Sequence, residues 1–269
     1  MADGSAPAAS PEGPPQAVPF LEGVVRLKFG TPEEMGWGPK LRLRFGYHTP
    51  DDWYEALVAS MVRPETEWLD VGCGRDLFPS NPALARRLAE RCRWLAGVDP
   101  SDNIDDNPLL MDRAKCMIED YRPDRRFDLI TMRMIAEHVE DPPKVVAALA
   151  RLARPGGDVV VYTPGRWALA SIVASLTPLF VHQAAKHILW GTEKRDTFPT
   201  AFLMNTRHQL RTAFEAGGFT ESQFFLLDDT RTLNRWYPGS LMELRIRSIL
   251  RRLSVRYPEF CILAVYRRG

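Results

Sequence analysis

Glu67-Trp68-Leu69-Asp70-Val71-Gly72-Cys73-Gly74-Arg75-Asp76 is the stretch on which the reading of this chain turns. Its first half is an apolar run closing on an acid, the pattern of a strand buried on both faces of a parallel sheet. Its second half is a Gly-x-Gly turn, where missing Cβ atoms let a backbone approach a ligand closely. A buried strand that ends in such a turn puts the ligand at the carboxyl edge of the sheet. Dinucleotide sites of this kind carry a third glycine and start a helix at once, its N-terminus on the pyrophosphate. Here Leu77 stands at the third position, and the next helix is expected only after Ser80-Asn81-Pro82, with a polar cap and a proline in its first turn. Acid before the glycines and a delayed helix suit a zwitterionic cofactor better than a pyrophosphate.

Working outward, Trp94-Leu95-Ala96-Gly97-Val98-Asp99 is a second buried strand ending in an acid. A carboxylate placed there can accept hydrogen bonds from ribose hydroxyls, in a nicotinamide dinucleotide as in other adenosine cofactors. Lys115 to Asp120 reads as a short third strand. Phe127 to Pro142 reads as a fourth strand with its following motif, Phe127-Asp128 opening the strand and Glu137-His138-Val139 coming after it. A helix from Pro142 to about Leu152, a Pro155-Gly156-Gly157 turn and a β-branched fifth strand, Asp158 to Thr163, complete the alternation.

In this order the motifs resemble those of the class I S-adenosylmethionine (SAM)-dependent methyltransferases, in particular the type 11-like group. The resemblance covers Tyr47 to Thr163 closely and the remainder by topology. It implies an α/β three-layer sandwich around a seven-stranded, mostly parallel sheet whose last strand is antiparallel, with a lid insertion after the fifth strand. It also implies SAM as cofactor. The methionine part would lie on Asp70, Gly72, Cys73 and Gly74, with Arg75 reaching the cofactor carboxylate or pairing with Asp76 or Asp99. The ribose would lie on Asp99 beside Pro100, and the adenine against Cys116 to Glu119, with Met117 and Ile118 on its face and Glu119 or Asp120 accepting from its amine, and with Arg133, Met134 and His138 after the fourth strand begins.

The rest of the chain frames this domain. Residues 1–19, rich in Ala, Pro, Gly and Ser, read as a disordered tail without a signal peptide. Val25 to Gly30 and Leu41 to Gly46 alternate apolar and basic residues, which predicts an N-terminal hairpin or cap over 20–46. The domain proper runs over 47–269. Its first helix starts at Thr49-Pro50, so Tyr47, His48 and Trp53 become candidates for the substrate pocket. The insertion, 164–205, is apolar in its first half and supplies Trp167 and Trp190 as further acceptor-binding candidates. Beyond it come a helix from about Asn205 to Ala216, strands near Phe224–Leu227 and Phe260–Tyr266, and between them a basic helix, Ser240 to Leu253, whose arginines read as a solvated face.

Composition limits the function. The 35 basic and 34 acidic residues give a net charge of +1, against a general nucleic-acid binder. Four scattered cysteines suggest neither a zinc site nor a disulfide framework, so a soluble, cytoplasmic protein without stable membrane insertion is expected, as monomer or homodimer. A phenol or alcohol acceptor must lose a proton, and among the five histidines His138, then His182 and His187, are the candidate bases. The expected reaction is metal-independent methyl transfer to an oxygen of a ring-containing or partly apolar metabolite, in natural-product or glycan biosynthesis. Lipid-like, quinone or RNA acceptors, an NAD-dependent oxidoreductase and a catalytically silent SAM-binding partner protein are the alternatives.

Overall fold

The computed structural model describes residues 13–168 and 200–269. Seven strands form one sheet: β1 Glu67–Val71, β2 Trp94–Val98, β3 Asp112–Ala114, β4 Phe127–Arg133, β5 Ala153–Pro164, β6 Phe219–Asp228 and β7 Phe260–Arg268. Their order is β3-β2-β1-β4-β5-β7-β6, with β7 antiparallel to both β5 and β6 and the other pairings parallel. The order reverses between β1 and β4, so a crevice opens at their carboxyl ends, where Asp70 aligns with Thr131.

Seven helices belong to the described residues: α1 Val18–Phe29, α2 Trp37–Arg44, α3 Pro50–Met61, α4 Pro82–Arg91, α5 Pro142–Leu152, α6 Arg207–Ala216 and α7 Tyr237–Arg252. Strand alternation sorts the core into two layers. Trp68, Leu95, Leu129 and Val160 face α1, α3 and α4, while Leu69, Ala96, Ile130 and Val159 face α5 and α6. A third, small cluster of Leu41, Tyr47 and Leu244 joins α2 to α7. The three-layer sandwich expected from the motifs is the observed one.

Caps set the helix starts. Thr49 and Asp52 form a reciprocal capping box at α3, the Thr49 hydroxyl accepting from Asp52 N at 3.2 Å and Asp52 Oδ2 from Thr49 N at 2.9 Å. Asn81 caps α4 while its amide nitrogen donates to Val24 O at 3.2 Å and Glu55 Oε2 at 3.0 Å, so one side chain joins three helices.

Four expectations are corrected. The hairpin over 20–46 is a pair of helices. Leu21, Val24, Val25 and Lys28 turn inward at helical spacing while Arg26 and Leu27 stay exposed. Lys28 is buried with Asp52 at 3.0 Å and Glu55 at 3.1 Å; burial depresses its pKa, but these carboxylates outweigh that and raise it. Chain order also begins before residue 20: Gly13 lies so close to the Trp53 ring that a Cβ there would stand 2.5 Å from it. The third strand is Asp112–Ala114 and not Lys115–Asp120. It is an edge strand held by β2 alone, and its polar residues gave no apolar run to read. Finally, Arg247 of α7 is buried, its Nε donating to Asp228 Oδ2 at 2.9 Å and its guanidinium lying 4.7 Å from the Tyr47 ring centre.

Candidate active site at the carboxyl edge

The glycine turn is held before any ligand arrives. Gly72 and Gly74 take φ of 67° and 46°, a region that favours glycine. A Cβ on Gly72 would meet Ile135 Cδ1 at 2.1 Å, so the residue has to be bare. Gly72 N donates to Val98 O at 2.7 Å, and Gly74 N donates to Asp99 Oδ2 at 2.9 Å. Asp99 Oδ1 accepts from Ser101 N at 2.8 Å and Ser101 Oγ at 2.6 Å. The end of β2 thus clamps the turn after β1.

Beneath this turn lies a cavity of about 370 Å³, whose lining includes Gly72, Asp99, Pro100, Ile118, Glu119 and His138. Six of the residues singled out from the motifs therefore meet in one place, although Ile118 and Glu119 lie in a turn and not in a strand. One oxygen of the lining residue Glu119, Oε2, is buried with no hydrogen-bond partner. A buried carboxylate oxygen in that condition is costly unless a ligand donor completes it. Apolar Ile118 stands next to that acceptor in sequence, and Asp99 lines the same cavity, so the lining offers both an apolar surface and carboxylates that could hold a cofactor.

The remaining cofactor candidates stand around this cavity in different ways. Cys73 contributes only backbone, since its thiol packs against Gly97 in the core, where burial raises its pKa. Arg75 is exposed and pairs with Asp106 at 3.2 Å, reaching neither Asp76 nor Asp99. Asp70 is buried and accepts from Thr131 Oγ1 at 2.6 Å. Burial, with Asp99 adding its charge, pushes its carboxyl up to about 7 against the opposing pull of Thr131 and Arg133. Met134 takes a φ of 53°, rare for a residue with a side chain, as its N donates to Tyr162 O at 2.7 Å.

A second constellation lies at the same edge and had no signature in the sequence. Asp51 of α3 accepts from Tyr162 Oη at 2.9 Å and from Arg231, and Arg133 Nη2 lies 3.7 Å from its Oδ1. Arg231 also forms a fork to Asp229, with distances of 2.7 and 2.6 Å. Burial would raise the Asp51 carboxyl, but Arg231, Arg133 and Lys28 with the Tyr162 hydroxyl hold it at about 2. Its members come from α3, β4, β5 and the segment after β6, so no local spacing announced them.

Glu137 ties this edge to the chain beyond the insertion. Its carbonyl accepts from Ala201 N at 2.7 Å and Phe202 N at 3.1 Å, and its carboxylate, raised in pKa by burial, accepts from Thr163 Oγ1 at 2.8 Å. Arg166 N donates to Asn205 O at 2.9 Å, which clasps the two ends of the insertion together.

The proposed acceptor residues separate. Tyr47 is a latch, its hydroxyl donating to Asp228 O at 2.9 Å and accepting from Thr230 N at 3.1 Å. Trp53 is buried, and His48 stands edge-on to it at 6.0 Å between ring centres, with a pKa lowered by burial. Trp167 is exposed. His182, His187 and Trp190 lie outside the described residues. A larger cleft, about 740 Å³, opens at the opposite edge, lined by residues such as Thr66, Arg93, Asp128 and Arg154 before or early in the strands. Ligands of open α/β sheets bind at the other edge. Among the described residues no group of three or more His, Cys, Asp or Glu is arranged to hold a metal ion, and no helix is long and apolar enough to cross a membrane.

Comparison with known proteins gives these features a context. A family model described as a methyltransferase domain matches residues 42–222. The ubiquinone biosynthesis O-methyltransferase of Thiobacillus denitrificans is 33% identical over 138 residues, covering 45% of this chain and 57% of that protein. The enzyme of the same name from Rhodopseudomonas palustris (strain TIE-1) is 27% identical over 217 residues, covering 72% and 81%. The match to the Thiobacillus protein thus spans little more than half of its length. A structure provisionally assigned as a sarcosine dimethylglycine methyltransferase from Galdieria sulphuraria superposes with a TM-score of 0.51 at 14% identity, over 81% of this chain and 85% of that one, a likeness of fold.

Proposed function

The chain belongs to the class I SAM-dependent methyltransferases, and on that premise we propose that it methylates an oxygen of a small, ring-containing or partly apolar acceptor. The observation that carries the cofactor part is the single cavity that Gly72, Asp99 and Glu119 line together, with one buried Glu119 oxygen left without a hydrogen-bond partner. The names of the curated relatives support an oxygen acceptor on a ring.

When bound, the cofactor supplies an electrophilic methyl group on a sulfonium. This chain holds it in place. Asp99 offers carboxylate lone pairs to the ribose, in exchange for the Ser101 hydroxyl or beside it. Glu119 accepts from the adenine amine, and bare Gly72 and Gly74 let the backbone come close. Fixing donor and acceptor in line removes much of the entropic barrier. His138, which borders the cavity on the turn after β4, is the described histidine best placed to take the acceptor's proton.

The test is turnover. Purified protein is incubated with methyl-labelled SAM and, separately, catechols, simple phenols, amines and RNA, reading S-adenosylhomocysteine (SAH) formation. Methylation of hydroxylated rings is expected. Turnover confined to amines or RNA would overturn the oxygen assignment.

A further inference from the structure

Helix α7 is built inside out. Its buried residues are Ser240, Glu243, Leu244 and Arg247, three of them polar. Each charged one is satisfied: Glu243 accepts from Leu233 N at 2.9 Å and Tyr257 Oη at 3.2 Å, and Arg247 donates to Asp228. The opposite face carries Met242, Ile246, Ile249 and, just past the helix, Leu253, which are 49%, 42%, 56% and 66% exposed. Steps of four, three and four residues put these side chains in one stripe pointing away from the body. A surface helix of a water-soluble domain has the reverse pattern.

What surrounds the stripe is equally one-sided. Arg245 and Arg252 border it along one side, exposed Arg251 lies on the same helix, and Arg235 and Arg256 carry exposed positive charge past its two ends. Between residues 235 and 256 the single acid is Glu243, which is buried. At the N-terminal end stand exposed Trp236 and Tyr237, the latter edge-on to exposed Trp37 of α2 at 5.6 Å.

We propose that this face docks α7 in the plane of an anionic lipid bilayer. An apolar stripe rimmed by arginines and ended by Trp and Tyr meets acyl boundary, acidic headgroups and headgroup level respectively. A second copy of the chain would bring the arginine rims together, a like-charge arrangement that costs binding energy. RNA would engage the arginines and leave Ile246, Ile249 and Leu253 in water. The helix lies on the membrane and does not enter it as a span. Its segment leaves the sheet at Asp228 and returns at Phe260, both at the carboxyl edge, so the docked bilayer borders the edge that carries the site.

Co-sedimentation with vesicles tests this with the whole chain. The wild type should sediment with vesicles of equal parts phosphatidylcholine and phosphatidylglycerol, at least tenfold more weakly with phosphatidylcholine alone, and less as salt rises. Arg245→Glu with Arg252→Glu should weaken binding by about fivefold or more per arginine. Ile246→Asp with Ile249→Asp should abolish it, while both variants keep wild-type SAH affinity as a check on folding. No sedimentation of the wild type with the anionic vesicles would overturn the proposal. So would unchanged binding by the isoleucine variant, self-association lost in that variant, or binding to single-stranded RNA in place of vesicles.

Discussion

The Tyr162 hydroxyl on β5 donates to the Asp51 carboxylate on α3 at 2.9 Å, across 111 residues of sequence. With Arg133 and Arg231 on the same carboxylate, this bond fastens α3 and the segment after β6 over the carboxyl ends of β4 and β5. Asp51 is ionised in the fold because its cationic neighbours hold it at about 2. A depressed acid gives stability that is present above its unfolded pKa near 3.9 and lost as pH falls toward 2. Replacement by Asn should therefore destabilise the protein by about 2–3 kcal/mol at pH 7, the scale of that shift. Urea unfolding at several pH values checks it: the gap between wild type and Asp51→Asn should close between pH 4 and pH 2.

Asp70 predicts the opposite slope. Burial raises its carboxyl to about 7, so the folded state keeps a proton that the unfolded chain has released. Stability should fall by about 1.4 kcal/mol per pH unit between roughly pH 4 and 7 from this group alone. Asp70→Asn should flatten the profile in that window, read from urea midpoints.

Removing the Asp99 carboxylate should weaken SAM and SAH binding by about 1.5–3 kcal/mol, the range for hydrogen bonds to a charged group. Calorimetry on Asp99→Ala, with circular dichroism to confirm folding, measures it. Unchanged affinity would remove the ribose assignment.

Glu119→Ala should cost a similar amount, about 1.5–3 kcal/mol of SAH affinity, without cost to stability, since its inward oxygen has no protein partner to lose. A variant that is less stable yet binds SAH normally would place Glu119 in the scaffold.

His138→Ala should spare SAH binding and lower kcat by about 10²–10⁴-fold. A rate within a few-fold of wild type would make His138 a packing residue.

Much of the sheet was legible because buried parallel strands are dense apolar runs, and Trp68, Leu95 and Ile130 sit in such runs. Thr49 and Asp52 announced α3 through local chemistry. The first failure came where two periodicities overlap. In Val25-Arg26-Leu27-Lys28-Phe29 every second residue is basic, yet the burial that decides runs through Leu21, Val24, Val25 and Lys28, and Lys28 is hidden only because Asp52 and Glu55 neutralise it. β3 was misplaced because an edge strand with one partner needs no apolar face. Asp99, Ile118 and Glu119 could be found since each follows a strand or turn in fixed order. Asp51, Tyr162 and Arg231 could not, and Arg133 was named for the cofactor without these partners, because only tertiary folding makes the four neighbours.

The clasp between Arg166 and Asn205, with Glu137 holding Ala201 and Phe202, has a bearing on how such a chain diversifies. The described residues on either side of positions 169–199 are thus bound to each other, and the later ones also to Glu137 on the turn that bears His138. Lengthening a loop whose ends are already fixed costs little, about 0.6 kcal/mol for each doubling. The number of residues between these anchors can therefore change with little effect on the sheet, since the anchoring hydrogen bonds are all made by residues outside 169–199.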